Sequence, residues 1–414
     1  MAWRNKMKTL RLIHTADFHL GISFRNIIGA NVQEARRRDF ERNVERIFDE
    51  AIKRRVDLML ICGDIFHRSD PSNRDLVFVA KQIGRAITSG VRVVAIAGNH
   101  DKPKVAGAMN PLKALVEAKV PNFYFFQELP KEPLIIDIKE KNMRVGIVPI
   151  PFVDPRVVRI VTKGTMSYDG FMYRIINKIS SDTRLEDVDA KILMGHLTLS
   201  GARVKRIWGI QINEPTISMQ TIHTNVFDYI ALGHVHTFQS VNDKVYYAGS
   251  IERIDFSEMG EDKKFIYAEI SDGEIVKVEA IQLECRPMLS TGKINIVGSA
   301  NPIEVLKRIL ESISIPPESI LRLEIETDED AWRVFEKYRN GIEDFLFNTK
   351  RILGYVLKKE TIRRMIATKL ERDKILPLRK IILEYIKSMS YRDEQLKRRV
   401  IELAEKLLDE VGIH

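Results

Sequence analysis

Residues 56–64 read VDLMLICGD, an apolar run closed by glycine and aspartate. Such a run, short and without period-two alternation, reads as a strand buried on both faces. Just upstream, TLRLIHTAD at 9–17 is a second short apolar run, and residues 31–55 carry Phe40, Val44, Ile47, Phe48, Ala51 and Ile52 at helical spacing. Just downstream, residues 73–88 have helical periodicity and VRVVAIAGNHD at 91–101 is another apolar run with a polar end. This β-α-β-α-β rhythm predicts buried parallel strands in an α/β fold.

The rhythm extends along the chain. Further strands are expected at LIIDI, MRVGIVPIP, AKILMGH, DYIALGH, KVYYAGS and KFIYAEI. The last of these lie close together with turn residues between them, which predicts an antiparallel part. Near residue 286 the character changes. RPMLSTGKINIV, a helix at about 301–314, SILRLEIET and a helix at about 331–339 suggest a small α/β unit. From about residue 360 strand signals stop, and 361–414 read as charged helices. The expected domains are 1–285, 286–358 and 359–414.

Composition bounds the class. At 414 residues the chain exceeds one ordinary core. Its apolar fraction of 44% suits a globular protein, and the absence of a long apolar run predicts no membrane span. The basic start MAWRNKMK has no apolar signal core behind it, so no secretion signal is expected. Two cysteines, Cys62 and Cys285, make neither a disulfide framework nor a zinc site, and fit a reducing cytoplasm. The net charge of +9 is compatible with a polyanionic partner without requiring one.

Polar residues gather where apolar runs end: Asp17 and His19, Gly63-Asp64, Gly98-Asn99-His100-Asp101, Gly195-His196, and Gly233-His234-Val235-His236. In open α/β sheets, ligands bind beyond the carboxyl ends of strands. Taken singly, Asp-x-His is ordinary surface or capping chemistry, and Gly-Asp or Gly-Asn marks a turn. Taken together, five strand ends deliver Asp17, His19, Asp64, Asn99, His196, His234 and His236 to one region. Mixed imidazole and carboxylate donors suit Mn, Fe or Zn better than Ca or Mg. Seven ligands are too many for one catalytic ion that keeps an open position. A shared carboxylate, most naturally Asp64, would bridge two ions. His14, inside the first strand run, and His223, outside any motif, read as structural, as does Cys62; His414 is the last residue.

The ordered set Asp-x-His, Gly-Asp, Gly-Asn-His-Asp, Gly-His, Gly-His-x-His resembles the calcineurin-like metallophosphoesterases. More narrowly, HTADFHLG, GDIFH, AGNHD, GHVH and YYAGSIERIDFSE resemble the double-strand-break repair nuclease family of meiotic recombination eleven and SbcD, of archaeal type. The resemblance implies a two-sheet sandwich flanked by helices, with a small α/β capping domain at 286–358 and C-terminal helices. It implies two Mn ions, one held by Asp17, His19, Asp64 and His236, the other by Asp64, Asn99, His196 and His234. His100 would assist the transition state by protonating the leaving oxygen, and His67 would help position DNA. Cationic metals nearby would disfavour a charge on His100, so an acceptor is needed beside it, and Asp101 is the adjacent candidate.

The implied activity is 3′-to-5′ exonuclease on duplex ends and endonuclease on single strands or hairpins. The implied partners are DNA, a second copy of the chain, and an SMC-like coiled-coil ATPase of SbcC type bound through 359–414. Arg36-Arg37-Arg38 and Arg203-Val204-Lys205-Arg206 are candidate phosphate contacts. The dimer would use surplus apolar residues of two helices: Val77 and Phe78 on 73–88, and Leu112, Leu115 and Val116 on 111–120. In the last helices, Leu378, Ile382, Tyr385 and Met389, then Leu396, Val400, Leu403, Leu407 and Val411, form apolar stripes, and Ser390 with Asp393 fits a capping box. The competing expectation is a phosphodiesterase or phosphatase not specific for DNA.

Overall fold

The structure is a computed structural model that describes residues 8–103, 108–204, 215–362, 378–389 and 393–411. It divides into two units, Met1–Thr361 and Ile362–His414. Among the described residues, no helix is long and apolar enough to cross a membrane.

The first unit is built on two six-stranded sheets. One contains β1 (Thr9–Thr15), β2 (Leu58–Cys62), β3 (Arg92–Ile96) and β4 (Phe123–Phe126), all parallel. The other contains β5 (Leu134–Ile138), β6 (Met143–Ile150), β7 (Ala190–His196), β8 (Tyr229–Gly233), β9 (Gln239–Ser240) and β10 (Val245–Tyr247). The hairpin β11 (Lys264–Ser271) and β12 (Glu274–Gln282) returns to the first sheet and pairs β11 antiparallel to β1. The expected antiparallel character of the later strands is therefore partial. β10, which covers KVYYAGS, pairs parallel to β8, because its short antiparallel partner β9 turns the chain back first.

Side-chain alternation sorts each strand between two cores. Leu58, Leu60 and Cys62 of β2 face Ile147, Ile192 and Met194 of the second sheet in an apolar layer between the sheets. Met59 and Ile61 face the other way, against Phe40, Val44 and Ile47 of α1 (Val32–Lys53) and Val79 and Ile83 of α2 (Asn73–Thr88). The outer face of the second sheet packs on α4 (Pro155–Val161) and α5 (Tyr168–Ser180). The expected two-sheet sandwich flanked by helices is the observed architecture. Both sheets turn the carboxyl ends of β1, β2, β3, β7 and β8 toward one region, which is what positions the site.

The helices proposed for dimer contact are less free than the sequence suggests. Val77 is 66% exposed, but Phe78 is half-buried and packs on the core beside α1. In 111–120 only α3 (Lys113–Glu117) is helical; Leu112 is buried, and Leu115 and Val116 pack on the same core.

The third sheet, still in the first unit, is parallel: β13 (Met288–Asn295), β14 (Ile320–Thr327) and β15 (Gly354–Thr361). Parallel neighbours need crossovers, supplied by α6 (Pro302–Ser312) and α7 (Glu329–Asp344). β15 runs past the boundary expected at 358. Tyr355 of β15 bridges Ile28 by two backbone hydrogen bonds of 2.8 and 2.9 Å.

This junction overturns one reading of the basic residues. Arg36 is fully buried and pairs with Asp39 at 3.0 Å and Glu252 at 3.5 Å. Asp39 also takes Arg286 at 2.6 Å. Arg37 pairs with Asp75 at 2.6 Å and Glu41 at 3.0 Å. A guanidinium enclosed by carboxylates has no face left for a phosphate, so Arg36 is structural. Only Arg38, with its side chain 73% exposed, remains open to solvent. Of the second cluster, Arg203 and Val204 are exposed, and Lys205 and Arg206 lie outside the described residues.

The second unit contains α8 (Leu378–Ser388) and α9 (Glu394–Glu410). Arg379 near the start of α8 meets Asp409 near the end of α9 at 2.5 Å, so the two helices run antiparallel. Asp393 is itself the N-cap of α9, accepting from the Leu396 N–H at 2.6 Å. It does not take the third helical position that the capping-box reading required, and Ser390 lies outside the described residues. The apolar stripes are open in part: Tyr385, Met389, Leu396, Leu403, Leu407 and Val411 are exposed, Ile382 and Val400 are half-buried, and Leu408 is buried.

Candidate metal centre

The backbone leaves each strand of the site under constraint. Past β1 and β2 the chains keep pairing: the Asp17 N–H donates to Gly63 O at 3.0 Å and the His19 N–H to Asp64 O at 2.9 Å. Asp17, His19, Asp64 and His234 all have positive φ, at 54°, 47°, 51° and 85°. Left-handed backbone at non-glycine residues costs roughly 1–3 kcal/mol each and persists where the surroundings over-determine it. Two glycines make the approach possible. A Cβ on Gly98 would stand 2.0 Å from Asp64 Oδ1, and one on Gly63 would stand 2.2 Å from His196 Nδ1.

All seven expected ligands and both expected helper histidines converge. The ligating atoms of Asp17, His19 and His236 lie within 4.8 Å of one another, as do those of Asp17, Asp64 and His196, and those of His19, His67 and His100. Asp64 Oδ2 stands 3.7 Å from His19 Nε2 and 3.5 Å from His196 Nε2. Asn99 Oδ1 lies 3.0 Å from His196 Nε2 and 3.1 Å from His234 Nδ1. Asp17 accepts the His234 backbone N–H on both oxygens, at 3.1 and 3.0 Å.

The donor set fits divalent cations. His196 Nδ1 meets the Cys62 carbonyl at 2.8 Å, and a carbonyl only accepts, so Nδ1 carries hydrogen. His236 Nδ1 likewise meets the Glu258 carboxylate at 2.8 Å. In the neutral rings each Nε2 is then a bare lone pair. His236 Nε2 faces His19 Nε2 at 3.0 Å, and His196 Nε2 faces the Asn99 oxygen. At such distances a proton or a cation lies between the paired atoms, and His19 Nε2 can supply the proton to His236 where no ion is bound. Nitrogen and oxygen donors mixed in this way could hold Mn, Fe or Zn.

Burial and charge shape the site further. Asp64 is buried, which opposes its charge, yet the imidazoles of His196, His100 and His19 hold its carboxyl well below the usual range. Burial pushes Asp17 upward, so the two acids differ in character. Burial opposes a charge on His196 too, but Asp64 lifts it to about 9. Burial, then the charge of His100, brings His67 down to about 4, and burial holds His19 well below its ordinary value.

His100 corrects one expectation. Its Nδ1 meets the His67 carbonyl at 2.9 Å, and its backbone N–H donates to Asp64 Oδ1 at 2.8 Å. Asp101 is not its acceptor. That carboxylate turns inward and takes the backbone N–H groups of Ile65, Phe66 and Gly98 at 3.0, 2.8 and 3.1 Å, tying the two loops together. Burial, then Asp64, raises Asp101 to about 7. The rings of His67 and His100 stack with centroids 4.8 Å apart. They line a cleft of about 660 Å³ with Gly21, Ser23, Arg68 and Asn99.

His14 is structural, as read: buried, bonded to Tyr229 Oη at 3.0 Å and Leu232 O at 3.1 Å, and pushed down to about 3 by burial. His223 lies against Tyr173 with ring centroids 4.9 Å apart and planes tilted by 40°, and His414 lies outside the described residues.

A model of the calcineurin-like phosphoesterases matches residues 10–238. The chain belongs to this family. This phosphoesterase is 23% identical over 336 residues to SbcD of the Escherichia coli K12 nuclease SbcCD, covering 77% of this chain and 79% of that protein. It is 23% identical over 347 residues to the DNA double-strand break repair protein Mre11 of Methanopyrus kandleri, covering 78% of this chain and 69% of that protein. Among solved structures, the calcineurin-like phosphoesterase YfkN of Bacillus subtilis matches with a TM-score of 0.39 at 12% identity, over 67% of this chain and 91% of that one. The resemblance read from the motifs, to the SbcD and Mre11 branch of the phosphoesterases, is borne out.

Proposed function

We propose that the chain is a Mn-dependent DNA nuclease of double-strand-break repair, acting as a 3′-to-5′ exonuclease on duplex ends and an endonuclease on single strands or hairpins. The observation that carries the hydrolase is the place of Asp64 Oδ2, between His19 Nε2 at 3.7 Å and His196 Nε2 at 3.5 Å. From that place one carboxylate serves both halves of the ligand set. His19, Asp17 and His236 would hold one ion with it, and Asn99, His196 and His234 the other. When bound, such a pair activates a water and clamps a phosphoryl group for in-line displacement.

The chain's own residues do the rest. His100 gives Nδ1–H to the His67 carbonyl, which leaves Nε2 to exchange a proton with the leaving oxygen. His67, stacked on His100 at the cleft, orients both that ring and the incoming strand.

DNA as substrate is supported by the relatives, whose 336- and 347-residue alignments extend beyond the matched domain at 10–238. Of the run Arg36-Arg37-Arg38 on α1, only Arg38 is left to support it. The test is Mn-dependent cleavage of an end-labelled duplex beside a simple phosphate diester. Hydrolysis of the diester with no DNA cleavage at any Mn concentration would favour the unspecific phosphodiesterase.

We further propose that residues 359–414 dock on an SbcC-type ATPase, through the open stripe of α9. We also propose a homodimer through α2 and the segment after β3, now resting on Val77, since Phe78 is half-buried. Sedimentation at micromolar concentration should give a dimer that Val77→Glu weakens; a wild-type monomer would remove the dimer.

A further inference from the structure

Beyond the ligands, the turn after β10 carries a buried pair that no motif of the metal set includes. Glu258 and Lys263 are each 1% exposed and 3.1 Å apart. Burying two charges is costly, and paired burial adds little stability over apolar packing. Their contacts show what the pair holds. Glu258 Oε1 meets His236 Nδ1 at 2.8 Å. Its Oε2 accepts the Ile254 N–H at 2.8 Å. Lys263 Nζ donates to the backbone carbonyl of His236 at 3.1 Å and reaches Glu261 at 3.0 Å. The pair therefore grips His236 at both ends, by its ring and by its carbonyl.

We propose that Glu258, braced by Lys263, is the positioning residue that fixes the tautomer and aim of His236, so that Nε2 is presented to the centre as a lone-pair ligand. Three donors surround Glu258, so the position requires an acceptor on both oxygens. A glutamine there would turn its NH₂ toward a donor, either the ring or the Ile254 N–H with the Lys263 ammonium. Without the acceptor at Nδ1, the hydrogen can sit on Nε2, and that nitrogen then cannot ligate. The lone pair's direction, toward His19 Nε2 at 3.0 Å, is set by the same hydrogen bond on the far side of the ring. The turn is itself anchored from the third sheet, where the Arg322 guanidinium lies 5.2 Å from the Phe256 ring centroid. Partners of this kind behind a ligating histidine change metal affinity by about 10–100-fold.

The inference rests on the metal-centre reading, and two measurements separate them. The first uses ¹⁵N-histidine-labelled, metal-free full-length protein at alkaline pH, where the rings are neutral. Imidazole nitrogen shifts should report His236 as the Nδ1–H tautomer; an Nε2–H tautomer in the wild type overturns the role. The second is Mn titration with a count of bound ions. Glu258→Gln should bind one ion as the wild type does and the other about 10–100-fold more weakly, with Lys263→Met shifted the same way. Two ions at wild-type affinity in Glu258→Gln remove this role and leave the centre standing. A wild-type chain that binds no divalent ion removes the centre and the role together. If Glu258→Gln does not fold, the wild-type tautomer decides.

Discussion

At the carboxyl ends of β1, β2 and β7, Asp17, His19, Asp64 and His196 are at most 1% exposed, whereas on α9 and its C-cap Leu396, Leu403, Leu407 and Val411 stand 43–67% exposed. One region hides what water would welcome, and the other shows what water rejects. The two departures are compensated differently. Around the centre the chain supplies its own compensation: backbone N–H groups for Asp17 and Asp64, the Cys62 carbonyl for His196 and the Glu258 carboxylate for His236. What the chain leaves unsupplied there is small, something able to sit between converging lone pairs. On α9, among the described residues, Leu396, Leu403 and Leu407 of the stripe stand exposed while Val400 is half-buried, and isolated helices of this length are marginal in water. What is unsupplied there is a surface. Under the proposed function, an ion would answer the first departure and a partner's surface the second.

The sharpest way to break the first half of the comparison is Asp64→Ala. If one carboxylate serves both ligand groups, both ions should weaken together and cleavage should fall below detection. His19→Ala should mainly affect one ion. Ion counting during Mn titration decides, and an Asp64→Ala protein that holds two ions at wild-type affinity refutes the bridge. His100→Ala is expected to be less severe. It leaves the seven proposed ligands in place and removes the proposed proton-transfer group, so turnover at saturating DNA and Mn should drop about 10²–10⁴-fold. Near-wild-type turnover with both ions bound would take His100 out of the chemistry.

The two regions also differ in how far they could be read in advance. Asp17, His19, Asp64, Asn99, His196, His234 and His236 were legible because each closes an apolar strand run, and parallel strands deliver their ends to one edge. α2 was legible to its ends because its period is local, and the structure caps it at Ser72, just before the expected start. The supports were not legible, because each depends on contact across the chain. Glu258 stands in the stretch YYAGSIERIDFSE, yet nothing local says that its partner is His236. Asp101 sits beside His100 in sequence and was misread for that reason. The Gly98 turn sends it under the loop to Ile65 and Phe66, and the His67 carbonyl takes its place. Arg36 looked like a phosphate contact because Asp39 alone, three residues on, would not enclose it; Glu252 and the Arg253 carbonyl, far along the chain, complete its burial. A run of arginines reveals its charge locally, but its burial is decided elsewhere.

The smallest expected effect on the free protein tests the other half of the comparison. Leu403 and Leu407 are 59% and 52% exposed on α9. Substitution at exposed sites away from special contacts usually changes stability by within about 0.5 kcal/mol. The double variant Leu403→Lys, Leu407→Lys should therefore melt as the wild type does and cleave DNA at the wild-type rate when alone. Its loss should appear only in assembly, as failed co-purification with the proposed ATPase partner, because two ammonium groups would have to be desolvated in an apolar contact. Leu408 on the same helix is the control, since it is buried. Leu408→Ala removes packing as well as surface, and should destabilise the helix pair by about 2–5 kcal/mol in hydrogen exchange across α8 and α9. If the double lysine variant instead loses stability or intrinsic cleavage, the stripe is covered by the chain itself. If it binds the partner at full yield, the stripe is not the docking surface. Only retained folding and activity with lost assembly keeps the distinction between a region waiting for an ion and a region waiting for a surface.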